Sequence, residues 1–243
     1  MTLFFRGLVM LFLLTLLWQF IVSIFNLPPY ILPTPLEVLQ AWYQHSSLIA
    51  HEAIPTITEA LLGLMLGILF GCFTAFVMAF FKPLSWGLLP ILLISQAIPT
   101  FAIAPILVIW LGFGMASKIM TTIIMLFFPI TNAFYDGLHR TDAGWIDLAK
   151  TMNASRWKTF WHIRIPAALP HLASGLRIAT AIAPIGAIVG EWVGASRGLG
   201  FLMLNANARM QIDLMFAALF TLIVFSLLLY FGMDKLLKKV IYW

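Results

Sequence analysis

Nine acidic residues, five histidines and one cysteine are the whole stock of carboxylate, imidazole and thiol side chains in this 243-residue chain. Their spacing builds no reaction centre. His51-Glu52 opens like the zinc-protease pattern, but Pro55 stands where the second histidine is needed. Cys72 lies inside an apolar run and has no second cysteine to pair with. No Cys/His cluster has metal spacing, and no Gly-x-Ser-x-Gly elbow occurs. Gly63, Gly67 and Gly71 recur every fourth residue, yet no Gly-Lys-Ser/Thr follows them, so they read as a smooth face for close helix contact rather than a phosphate loop. The chain is expected to bind no metal, no ATP and no other cofactor, and to catalyse nothing.

Two carboxylates fall near or inside apolar runs, where an ionisable group is a functional candidate by default. Glu59 ends Thr56-Ile57-Thr58-Glu59, a capping-box pattern, so it either closes a helix N-terminus or lines a polar path. Glu191, beside Trp192, either contacts a passing solute or pairs with Arg197 at the membrane surface. Prolines mark further candidates. Pro99, bracketed by Gln96 and Thr100, interrupts one span, and Ala183-Pro184-Ile185-Gly186 breaks the middle of another. Carbonyls freed by proline survive in a membrane only when buried or facing a cavity, and broken spans of transporters often flank the solute. Gln96, Pro99, Thr100, Pro184, Glu191 and Trp192 are therefore the candidate substrate pathway, with packed kinks as the alternative.

The elements that must position these residues are membrane helices. With 62% hydrophobic and 9% charged residues and a mean hydropathy of +1.01, the chain is no soluble domain. We expect an all-α polytopic membrane protein, a single transmembrane domain over residues 1–243, with six spans near 3–25, 57–80, 86–110, 119–135, 172–193 and 214–233. The first is too long in its apolar core for a cleaved signal and reads as an anchor. After it, Thr34-Pro35-Leu36-Glu37 predicts a capped surface helix. The segment from Gly194 to Asp213 reads as a loop. A net charge of +5 does not imply nucleic acid, because the basic residues sit between spans. Arg6, Lys82, Arg140, Lys150, Arg156, Lys158, Arg164, Arg177, Lys235, Lys238 and Lys239 fall on the side of the two termini; only Lys118, Arg197 and Arg209 fall on the other. The positive-inside rule then puts both termini in the cytoplasm.

The longest stretch too polar to span is Asp147–Pro170, within a cytoplasmic loop of about 137–171. Two short amphipathic helices are expected in it. Trp145, Leu148, Ala149 and Met152 share one face of the first; Trp157, Phe160 and Trp161 share one face of the second, which Pro166 should stop. Asn153 sits at the bend, where Asn is the usual substitute for Gly in left-handed backbone. This reads as a docking loop.

The same stretch resembles the cytoplasmic loop of bacterial ABC-importer permeases, whose pattern is E-A-A, three residues, G, nine residues, then I-x-L-P. Here Asp147-Leu148-Ala149, Asn153 and Ile163-Arg164-Ile165-Pro166 keep every spacing, with Leu148 as the main departure. The resemblance implies a type I importer permease fold in the bacterial inner membrane, with Asp147 at the start of a coupling helix, Asn153 at its bend, and Trp157 and Phe160 bracing it. It also implies partners: a second permease copy, two cytoplasmic ATPases that hold the ATP and Mg, an extracytoplasmic binding protein, and lipid. Leu32–Leu39, Ile98–Gly114 and Ala183–Leu219 resemble the branch for nitrate, sulfonates, taurine and thiamine precursors, and the last stretch is most like hydroxymethylpyrimidine permeases. The expected cargo is hydroxymethylpyrimidine or a related thiamine precursor; the alternatives are an aliphatic sulfonate, taurine or nitrate in the same machine, or an ATP-independent channel or secondary transporter.

Overall fold

The computed structural model describes residues 2–241, and all of its regular structure there is helical. Contacts gather the chain into two compact units, Met1–Pro55 with Ser196–Val224, and Thr56–Ala195 with Phe225–Trp243.

The first unit holds α1 (Thr2–Ile24), α2 (Pro35–Gln44), the opening of α3 (Ser46–Phe80), α10 (Leu199–Ala208) and the opening of α11 (Ile212–Val240). The capping box predicted for α2 is present. The Thr34 N–H donates to Glu37 Oε2 at 2.7 Å, and the Glu37 N–H donates back to Thr34 Oγ1 at 3.2 Å. Indoles tie this unit together: the Trp18 ring lies 5.7 Å from Phe216, and Trp42 Nε1 donates to Thr221 Oγ1 at 3.0 Å. The segment expected to be a plain loop contains α10, launched from Gly198, whose φ of 118° only glycine adopts without strain.

The second unit holds the rest of α3, then α4 (Lys82–Ala97), α5 (Thr100–Leu111), α6 (Met115–His139), α7 (Ala143–Thr151), α8 (Arg156–Thr159), α9 (Ile165–Gly194) and the end of α11. Its core is α6, held between glycine faces. A Cβ on Gly63 of α3 would lie 2.5 Å from Thr122 Cβ, one on Gly67 3.2 Å from Leu126 Cβ, and one on Gly71 2.8 Å from Ile130 Cγ2. Both sets step by four residues, so the predicted smooth face meets a matching row on α6. From α9, Gly186 sits against the backbone of Thr122 and Gly190 against that of Lys118. Leu126, Ile130, Ala173 and Leu176 complete the packing, and Arg177 Nε on α9 donates to Asp234 Oδ1 on α11 at 2.7 Å.

By length and composition α3, α6, the run Arg156–Gly194 and α11 can each cross a membrane. Helices α4 and α5 meet at a 100° bend, the form of a broken span or of a re-entrant loop, and α1 is apolar over Val9–Ile24. Two expectations about proline are corrected. Pro184 does not break its span, because α9 continues through it with Pro184 and its small neighbours Ala183, Gly186 and Ala187 buried in the packing. Pro166 does not stop a helix either. A π turn, Phe160–Arg164, precedes α9, and the Ile165 N–H bonds to the Phe160 carbonyl five residues back. That wider turn delivers the chain to a proline at the start of α9, where its missing N–H costs least. The cap expected at Thr56 is also absent, since α3 starts at Ser46 and runs through Pro55.

Candidate functional site

The docking loop is built as two helices around a left-handed corner. Helix α7 opens at Asp142, whose Oδ1 accepts the Gly144 N–H at 2.6 Å. Asp147, expected at the helix start, lies mid-helix instead, exposed and paired with Lys150 Nζ at 2.8 Å. At the other end Asn153 has φ 53°. Its N–H bonds to the Lys150 carbonyl, and the Ala154 N–H to that of Ala149, each at 2.9 Å. This is the Schellman closure with Asn in the glycine position. Ser155 then caps α8 by accepting the Lys158 N–H at 3.3 Å.

Of the apolar face on α7, only Ala149 is buried. Trp145, Leu148 and Met152 are 55%, 60% and 75% exposed, one or two turns apart. With Arg140, Asp142, His162, Ile163 and Pro166 some of these side chains border a cleft of about 660 Å³. The second half of the loop is anchored inward. Phe160 is buried against Ala79, Phe134 and Leu138, its ring 5.2 Å from Phe76, while Trp157 meets Phe80 at 5.5 Å. Ile163, Ile165 and Pro166 are half-buried where the loop joins α9.

Deeper in the second unit, three ionisable side chains share an almost dry site. Glu59, Lys118 and Glu191 are 2%, 6% and 1% exposed. Lys118 Nζ lies 3.7 Å from Glu59 Oε1 and also donates to the Phe113 and Gly114 carbonyls at 3.3 Å. Thr56 Oγ1 donates to Glu191 Oε1 at 2.6 Å. Thus Glu59 lies inside α3 rather than capping its start, and Glu191 is buried against Thr56. Arg197 faces the His51 ring, whose Nδ1 lies 3.2 Å from Glu52 Oε1; Glu52 Oε2 in turn accepts the Gly198 N–H at 2.6 Å. Gln96, Pro99 and Thr100 lie at the α4–α5 bend, the first two exposed and Thr100 half-buried. Pro184 is buried and Trp192 largely exposed on α9. The candidate pathway residues are thus not gathered into one cavity: the buried pair Pro184 and Glu191 is packed away, while the exposed ones lie on separate elements.

Comparison with known proteins decides what such a helical chain is. Residues 67–242 match the family model of the binding-protein-dependent transport system inner membrane component. The chain belongs to that family. It is 53% identical over 229 residues to a probable ABC transporter permease protein of Haemophilus influenzae, covering 94% of each chain. It is 34% identical over 216 residues, 88% of this chain and 86% of the other, to the formylaminopyrimidine transport permease protein ThiX of Halalkalibacterium halodurans. Its fold matches that of an amino acid ABC transporter solved with histidines at a TM-score of 0.66 and 15% identity, covering 84% of this chain and 97% of that one. The chain is therefore an ABC-importer permease subunit, a membrane component without catalysis of its own, and such permeases work with separate ATPases and binding proteins.

Sequence reasoning missed two features of the permease. Arg164 occupies the variable place of the motif, yet its Nε and Nη2 donate to the Leu138 carbonyl at 3.0 and 2.8 Å and tie the loop to the end of α6. Arginine capping a helix C-terminus is a known tendency, but the carbonyl lies 26 residues away and no local spacing signals it. Lys118 is expected in the turn before the fourth span, whereas it lies buried in the first turn of α6. Its polar neighbours Ser117, Thr121 and Thr122 were the available hint.

Proposed function

We propose that this permease is one of two identical membrane subunits of an importer for a thiamine-precursor aminopyrimidine, with hydroxymethylpyrimidine as the specific cargo. The observation that carries the cargo is the likeness, along nearly the whole chain, to the relative named for formylaminopyrimidine. Two cytoplasmic ATPases, holding ATP and Mg, each receive one docking loop, and an extracytoplasmic binding protein delivers the cargo to the opposite face. Both termini lie in the cytoplasm, the side that holds eleven of the fourteen Lys and Arg residues under the six-span reading.

The exposed stripe Trp145, Leu148 and Met152, with Asp147 beside it, is the surface offered to the ATPase. Asn153 holds the corner, while Trp157, Phe160, Ile163, Ile165 and Pro166 transmit its displacement into α9. ATP-driven closure of the ATPases moves the two loops together, and the helices follow as rigid bodies. Gln96, Pro99 and Thr100 at the broken span and Trp192 on α9 are the residues a solute meets from the outer side.

The test is ATP-dependent uptake of radiolabelled hydroxymethylpyrimidine by vesicles holding the whole complex, with binding protein supplied. Uptake that needs ATP and is lost when Trp145 and Leu148 are replaced by Asp supports the reading. ATP-driven uptake of taurine but not pyrimidine replaces the cargo, and uptake indifferent to ATP refutes the machine.

A further inference from the structure

Asn132 and Asp136 on α6 and Arg140 at its C-cap follow at successive four-residue steps, and α9 carries His171 and Ser174 on the face beside them. Together they line a groove of about 380 Å³. Its floor is closed by helix contact: a Cβ on Gly175 would lie 2.5 Å from Ala133 Cβ, and one on Gly137 2.8 Å from His171 Cβ. The polar side chains therefore cannot turn inward between the helices. Among the described residues, none of the five makes a side-chain hydrogen bond or ion pair within the chain.

Asn132 lies roughly 10 Å along α6 from the helix's end, which is within the depth of the hydrocarbon layer. A polar group facing lipid there costs several kcal/mol if left unpaired. Asn132, with Ser174 on the facing helix, therefore argues against lipid as the neighbour of this wall. The wall holds one carboxylate and one guanidinium with an amide, an imidazole and a hydroxyl between them, so it combines donors and acceptors without a single-sign field. That chemistry fits a small uncharged solute with donor and acceptor edges better than an anion.

We infer that this groove is the water-filled cytoplasmic half of the solute path, and that Asn132, Asp136 and Ser174 contact an uncharged heterocyclic cargo as it leaves. The inference rests on the importer reading and names residues outside the candidate pathway drawn from the sequence.

The test uses the assembled complex in inside-out vesicles, with Cys72→Ala as background and a membrane-impermeant maleimide as probe. Ser174→Cys and Asn132→Cys are expected to react without ATP, and hydroxymethylpyrimidine to slow the reaction; Leu228→Cys, on the apolar surface of α11, should stay unmodified. In the native-cysteine complex Asp136→Asn should raise the cargo's KM for uptake about ten-fold, with ATP hydrolysis retained. Ser174→Cys and Asn132→Cys both inert in a complex that still transports would overturn the inference, because lipid or the second copy would then seal the groove. Normal labelling slowed by taurine rather than the pyrimidine would overturn the uncharged-cargo assignment. Normal labelling with no ATP-driven uptake of any solute would sustain the water-filled groove and refute the importer reading on which the cargo contact depends.

Discussion

Replacing Asn153 isolates the corner of the docking loop from everything else the loop does. Its φ of 53° lies in the left-handed region, and the two closing hydrogen bonds at 2.9 Å exist only if residue 153 stays there. Glycine adopts that geometry freely and Asn offsets much of the strain through its short polar side chain, whereas a β-branched residue bears the clash of its Cβ with the following carbonyl, at a cost of about 1–2 kcal/mol or somewhat more. Asn153→Val should therefore lower the equilibrium between bent and unbent loop by about 5- to 30-fold. On the proposed docking role, in which an ATPase engages only the bent form, its apparent Kd rises by up to that factor. Asn153→Gly, which meets no steric conflict at that φ, should stay near wild type. The assay is ATPase binding to the permease in nanodiscs, followed by ATP-driven uptake in vesicles. Equal binding by the Val variant would refute the left-handed requirement. A Gly variant as weak as Val would refute it differently, by showing that the Asn side chain itself touches the partner.

Lys118→Met should lower the protein's stability by about 3–5 kcal/mol, because it leaves a buried carboxylate without its cation; adding Glu59→Gln should recover most of the loss, and a double variant no more heat-stable in detergent than the single one would count against the pair. Gly63→Ala should destabilise by about 1–3 kcal/mol, as its Cβ would stand 2.5 Å from Thr122, while Gly87→Ala, with open space around it, should be neutral or slightly stabilising in the same melt. Arg164→Lys gives up the two-pronged grip on the Leu138 carbonyl, so amide exchange across residues 139–142 should quicken about 5-fold, as expected for the loss of about 1 kcal/mol; unchanged exchange would show that the aromatic anchor alone fixes the loop.

The residues legible in the sequence were those whose role depends on neighbours a turn or two away. Thr34 with Glu37, Asn153 after α7, and the step of four from Gly63 to Gly71 each carry their meaning within a dozen residues, and each is found as read. The misreadings have a common origin in distant partners. Thr56 matches a capping box, but its hydroxyl serves Glu191, 135 residues on, and the helix runs through it. Pro184 has the look of a break, yet the helix continues through it with its small neighbours buried in the packing. Lys118 and Glu59 looked like unrelated edge charges until α3 and α6 set them side by side.

The apolar face of α7 departs from the usual rule in the opposite direction, and that departure carries functional meaning. Helical spacing groups Trp145, Leu148, Ala149 and Met152 on one side, and the ordinary inference is that such a side turns toward the protein's own core, but the structure divides the group. Only Ala149 turns inward. The second half of the loop spends its aromatic residues on the core, through Phe160 and Trp157, so the loop cannot roll to bury the first half without pulling that anchor out. Arg164 on the Leu138 carbonyl opposes the same roll. A helix so fixed, presenting a tryptophan, a leucine and a methionine outward from the polar side of a membrane protein, is stable in water only at the expense of exposed apolar area. The loop's anchored inner half is what keeps that outer stripe exposed.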